Sequence, residues 1–79
     1  MGNYFAGMKS YVVLYRVESI MSPLDAPFGF QCWAEDGDHA EDQCIDAYPD
    51  CDVVWLVETD NYQYALEDYY FLNDAQRTV

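Results

Sequence analysis

Between Val17 and Gln76 the chain has no lysine and no arginine. Its three bases, Lys9, Arg16 and Arg77, stand against fifteen Asp and Glu, for a formal net charge of −12. A surface charged this way repels nucleic acid and anionic membranes and attracts basic proteins. Also missing are an apolar run near the roughly 20 residues of a membrane span and the basic and apolar regions that open a signal peptide. The expectation is a soluble, cytoplasmic protein. Position 6 is Ala, where a myristoylation signal beginning at Gly2 needs Ser or Thr. The three cysteines are an odd number with no Cys-x-x-Cys pair, so they are expected as free thiols packed as small hydrophobes, outside any disulfide framework. No internal repeat and no low-complexity segment is found.

What the chain does have is aromatic: eight Tyr, four Phe and two Trp in 79 residues. A chain this short forms one domain, 1–79, and buries only about 60% of its unfolded surface. Aromatic side chains bury large areas at little rotamer entropy, which suits a small core. A disordered acidic tail would lack them, so the charge belongs to a folded surface.

The organising stretch is Phe28 to Val57, read as strand, acidic helix, strand. Phe28, Phe30, Cys32 and Ala34 alternate with Gly29, Gln31, Trp33 and Glu35, the period of two of a strand with one apolar face. A helix is expected at about 38 to 48, capped by Asp38 with Glu41 reaching back, and stopped by Pro49. Ala40, Cys44, Ala47 and Tyr48 fall on its inward stripe, and Glu41, Asp42 and Asp46 face away. Val53-Val54-Trp55-Leu56-Val57 is a nearly continuous apolar run, expected to be the central strand. Upstream, Ser10 to Glu18 reads as the first strand, with Tyr11, Val13, Tyr15 and Val17 on one face. The loop Ser22 to Pro27, with two prolines, is too short for a crossover, so the first two strands should form an antiparallel hairpin.

After the turn formers Glu58 to Asn61, the residues Tyr62, Ala65, Leu66, Tyr69 and Leu72 form a helical stripe that Asp60 or Asn61 can cap. A fourth strand is the competing reading. Residues 1–8 read as an irregular arm pinned by Tyr4 and Phe5, and 74–79 as a frayed end. The expected fold is therefore α+β: an antiparallel sheet of three, or four, strands with an acidic helix on one face, in the order ββαβ followed by a C-terminal helix or strand.

Catalytic and metal motifs fail on spacing. Asp36-Gly37-Asp38 lacks the twelve-residue ligand pattern of a calcium loop. Cys32, His39, Cys44 and Cys51 are four soft ligands without the paired knuckle of a zinc site. The single His, His39, has no nucleophile placed by motif, and no Gly-rich loop is present for a phosphate. The expectation is a protein that is not an enzyme and carries no cofactor and no metal.

The acids remain. Eight of the fifteen lie between Glu35 and Asp52: Glu35, Asp36, Asp38, Glu41, Asp42, Asp46, Asp50 and Asp52. Solubility alone is the ordinary explanation of an acidic surface, yet here the acids gather on one helix and its flanks with no cation among them. Carboxylates one helical turn apart are about 5 to 6 Å from each other, comparable in scale to neighbouring phosphates on a strand. Such a surface fits a groove lined by Lys and Arg that ordinarily holds nucleic acid. Trp33 and Tyr64 can add contacts beside it.

A very small, strongly acidic single domain with a ββαβ core and no enzymatic motif resembles the phage-encoded anti-CRISPR proteins, in particular inhibitors of type I systems such as type I-C. Some of them are DNA mimics that bind the Cascade surveillance complex and block target DNA; others recruit or occlude the nuclease-helicase. The resemblance implies a class of partner, a basic DNA-binding subunit of a CRISPR effector complex in the host cytoplasm, with no direct nucleic-acid or membrane contact. The partner-binding residues, Glu35, Asp36, Asp38, Glu41, Asp42, Asp46 and Asp50, come from the helix reading. A structural or assembly role is the alternative, as a homodimer through Tyr62, Leu66 and Tyr69.

Overall fold

The structure, a computed structural model, describes residues 7–77, with side chains through Leu72. The elements run β1 (Lys9–Arg16), β2 (Phe28–Ala34), α1 (Gly37–Ala47), β3 (Asp52–Val57) and α2 (Tyr62–Arg77). The three strands form one antiparallel sheet in the order β2-β1-β3. The fold is α+β with a three-stranded antiparallel sheet, and the C-terminal segment is a helix, not a fourth strand. Helix α2 continues through Arg77, so residues 74–77, expected as part of a frayed end, are helical. Most of the expected N-terminal arm, with Tyr4 and Phe5, lies outside the described residues.

The central strand is β1, and the expectation that Val53 to Val57 would be central is corrected. In β1 Tyr11, Val12, Val13, Leu14 and Tyr15 are all buried, whereas β3 from Val53 to Val57 is only half-buried. The hairpin places β2 on one side of β1, and the crossover through α1 carries β3 to the other side. A continuous apolar run reports two covered faces, which a strand at the sheet edge also has when helices lie above and below. Both faces are in fact covered. Tyr11, Val13 and Tyr15 pack with Cys32, Ala34, Ala40 and Cys44 under α1. Val12 and Leu14 pack with Ala65 of α2, flanked by Val54, Trp55, Val57, Leu66 and Tyr69.

A register shift explains why β3 shows no alternation. Leu14 pairs with Trp55 but Tyr15 pairs with Val53, leaving Val54 as the extra residue of a bulge. Val54 and Trp55, consecutive in sequence, consequently both serve the α2 side, while Val53 and Leu56 serve the α1 side.

Local chemistry fixes the element ends. Arg16 closes the hairpin: its guanidinium donates to the carbonyls of Asp25 and Ser22, each at 2.8 Å, and pairs with Glu18 at 2.9 Å. Asn61 caps α2, its Oδ1 accepting the Tyr64 N–H at 3.1 Å. The Tyr62 hydroxyl donates to the Pro27 carbonyl at 2.6 Å. Its ring lies flat against Gly29, where any Cβ would overlap it. The start of α2 is thereby clamped to the start of β2. Across the same layer Trp55 Nε1 donates to Asp68 Oδ2 at 3.0 Å, giving a half-buried indole a charge-assisted partner.

Candidate partner-binding surface

Helix α1 begins one residue before the expected position, and its cap is Asp36, not Asp38. Asp36 has the extended backbone of an N-cap, φ −156° and ψ −179°, and its Oδ1 accepts the His39 N–H at 2.9 Å. Both aspartates are good N-cap residues, and only Asp38 has a Glu three residues on; the one that caps is Asp36. Gly37, between them, sits where a Cβ would come within 2.7 Å of Leu56 Cδ2, so the first helical residue packs directly on β3. Glu41 does not close a capping box on this start. The backward reach is made by His39, whose Nδ1 accepts the Glu35 N–H at 3.2 Å. At the other end Tyr48 N–H bonds the Cys44 carbonyl at 2.9 Å and Pro49 follows.

The inward stripe holds at Ala40 and Cys44, both fully buried, while Ala47, expected inside, is exposed because the helix ends at that residue. Tyr48 is half-exposed but stacks on Tyr15, ring centroids 5.1 Å apart, with Phe30 edge-on at 6.1 Å. Opposite the buried stripe, Asp38, Asp42 and Asp46 follow at steps of four, one row along the solvent face over ~12 Å of helix at the usual rise. All three are exposed, with Glu41 half-buried beside them. Glu35 and Asp36 in the preceding turn and Asp50 in the following one are exposed as well. The structure therefore gathers all seven expected acids on one helix and its flanking turns, with Asp36 also committed to the cap.

Among the described residues no acid of the row is in an ion pair. The one ion pair among the described residues is Arg16–Glu18, at the hairpin. Lys9 lies opposite Ala34 in the sheet register, near the Glu35 end. Like charges at i, i+4 cost roughly 0.2–0.5 kcal/mol per pair, so the fold carries this surface at a small expense in stability. The acids are not all alike: Asp68 is spent on the Trp55 indole, inside the α2 layer.

Trp33 and Tyr64 are not brought to this row. Trp33 alternates with Cys32 and Ala34, which face α1, and so lies on the α2 side of the sheet, half exposed. Tyr64 is on α2 itself. Sequence reasoning missed a different side chain: Ile45, 41% exposed, lies one turn beyond Asp42 (i, i+3) at the edge of the row, near the C-terminal end of α1. Its signal was its place in the heptad, off the Ala40–Cys44 stripe.

The metal and catalytic candidates resolve into packing. Cys32 and Cys44 are buried thiols in the α1 core, and Cys51 is half-buried beside them. Burial pushes the Cys32 thiol up, and burial together with the Cys51 hydrogen bond pushes Cys44 up to about 12. Among the described residues no three His, Cys, Asp or Glu are grouped as metal ligands, and no pocket is formed. Among the described residues no helix is long and apolar enough to cross a membrane.

Comparison with protein-family models, with curated proteins and with solved structures finds no match to this chain.

Proposed function

We propose that the protein is a non-enzymatic inhibitor of the anti-CRISPR kind, acting by acidic mimicry of DNA. It binds a cationic, nucleic-acid-handling surface of a type I effector complex (Cascade) through Glu35, Asp36, Asp38, Glu41, Asp42, Asp46 and Asp50, and so blocks target DNA. The observation that supports this reading is the exposed row Asp38, Asp42 and Asp46, which takes part in no ion pair among the described residues. A fold gains nothing from concentrating like charge on one face, whereas a Lys- and Arg-lined channel does. Ile45 supplies an exposed apolar contact at the edge of the acidic row.

The reading is tested by pull-down of effector complexes in a salt series, with the Asp38→Lys, Asp42→Lys, Asp46→Lys triple variant alongside. Binding should weaken steeply with salt and vanish in the triple variant. Retention by the triple variant would remove the proposal.

A second reading, a homodimer through α2, rests on the exposure of Tyr64, Tyr70 and Phe71, the last at 71%. Of the residues expected at that interface, Leu66 and Tyr69 are partly buried against the sheet and Tyr62, 37% exposed, also clamps β2. Sedimentation of the wild type and of Phe71→Asp separates the two readings, since only the dimer depends on Phe71.

A further inference from the structure

The cysteines at the C-terminal end of the acidic helix are placed for a chemistry that their odd number conceals. Cys44 Sγ and Cys51 Sγ are 3.9 Å apart, within hydrogen-bonding distance for sulfur. Two backbone hydrogen bonds in series hold the intervening chain: Tyr48 N–H to the Cys44 carbonyl at 2.9 Å, then Cys51 N–H to the Tyr48 carbonyl at 3.0 Å. The second closes a turn over Tyr48-Pro49-Asp50-Cys51, in which Pro49 occupies the position whose φ proline pre-sets. The turn folds Cys51 back onto the last turn of α1 and makes the approach of the two sulfurs a feature of the backbone.

We propose that Cys44 and Cys51 form a redox modification site that closes an intramolecular disulfide on reaction with a low-molecular-weight disulfide such as oxidised glutathione. A disulfide needs sulfurs about 2.05 Å apart, so about 2 Å of closure is required, within reach of side-chain rotation. Cys51 is half-buried and Cys44 is fully buried, so Cys51 attacks first. Its thiolate displaces one glutathione thiolate and forms a mixed disulfide. Cys44 then loses its proton and attacks Cys51 Sγ, releasing the second glutathione thiolate. The two cysteines give up two electrons and two protons, and one glutathione disulfide becomes two glutathione thiols. Cys32, on β2 and buried, is the thiol left over. The bond joins the last turn of α1 to the residue before β3 and fixes the turn that carries Asp50.

The test is incubation of the reduced full chain with oxidised glutathione, alkylation under denaturing conditions, and mass spectrometry. Cleavage must be at acidic residues: Asp46 and Asp50 separate the two cysteines, and trypsin has no site between Val17 and Gln76. The expected product is monomeric, lighter by two hydrogens, alkylated only at Cys32, with a Cys44–Cys51 peptide that dithiothreitol separates. Cys51→Ala and, separately, Cys44→Ala should each abolish that product, and Cys32→Ala should leave it intact. A stable glutathione adduct on Cys51, a disulfide-linked dimer, or a bond through Cys32 would overturn the assignment.

Discussion

Replacing Asp42 with Asn removes the middle charge of the row Asp38, Asp42 and Asp46, and should move stability and partner binding in opposite directions. Asp and Asn have similar helix propensities, so the backbone preference cancels. Asp42 is exposed and neutralises no base in the described structure. Two like-charge pairs one turn apart disappear, each worth roughly 0.2–0.5 kcal/mol, for a gain of about 0.4–1 kcal/mol. In a domain of this size about 1 kcal/mol moves the melting temperature by about 4–8 °C, so the variant should melt roughly 2–8 °C higher. The gain should shrink as salt is added, because at about 1 M the screening length is about 3 Å, shorter than the spacing of the carboxylates. Thermal unfolding followed by circular dichroism at low and high salt reads this directly. Affinity for the cationic partner should meanwhile fall a few-fold at low salt, with a shallower salt dependence. A lower melting temperature would show that Asp42 makes a structural bond, and unchanged binding would show that the row is not the interface.

Asp68→Ala removes the same unit of charge with the opposite outcome, since it strips the Trp55 indole of its 3.0 Å acceptor; a loss of about 1–3 kcal/mol in urea unfolding is expected. Asp36→Ala leaves the His39 N–H at the start of α1 without its cap, and should cost about 1 kcal/mol by the same measurement, whereas Asp38→Ala should not. Tyr15, pushed up from 10.0 to about 12 by burial and by Tyr48 against it, holds its proton more tightly when folded than when unfolded. Its contribution is therefore complete below pH 10 and is lost as pH rises towards about 12. Cys44, raised in the same direction from 9.0 to about 12, adds to that loss, so alkaline unfolding followed by tyrosinate absorbance should fall in this window and move to lower pH in destabilised variants.

Local signals were sufficient where local physics decides. The proline-rich Ser22 to Pro27 segment marks the connection between β1 and β2 as a loop with no helix of its own, which is the signature of a hairpin. The Ala40–Cys44 spacing with Pro49 beyond it defines α1, and Tyr62, Ala65, Leu66 and Tyr69 define α2 over the competing strand. The sequence was silent where a neighbour decides. Asp36 and Asp38 are both good N-cap residues, and the one that caps is Asp36, where Gly37 packs on Leu56. The apolar run of β3 records helices above and below it and says nothing of its place at the sheet edge. The bulge at Val54 then erases the alternation that would have separated its faces. The acidic face was legible in part: helical spacing sets Asp42 and Asp46 outward, but Asp38 joins them only because the cap is Asp36, and Glu41, expected outward with them, is half-buried. Trp33 was misjoined to it because the period of two tells which residues share a face, but not which helix covers that face. The Cys44–Cys51 contact was invisible for a related reason: it is made by a turn around Pro49, and a count of cysteines carries no distances.

The central claim is that an uncompensated anionic face substitutes for a polynucleotide in a cationic channel. Competition measures it most directly: a labelled target duplex bound to the effector complex, titrated with the wild-type protein and with the Asp38→Lys, Asp42→Lys, Asp46→Lys variant. The account predicts that the wild type displaces the duplex, less effectively as salt rises, and that the variant does not. Displacement by both alike, or a duplex that stays bound while the wild type also binds, would contradict it.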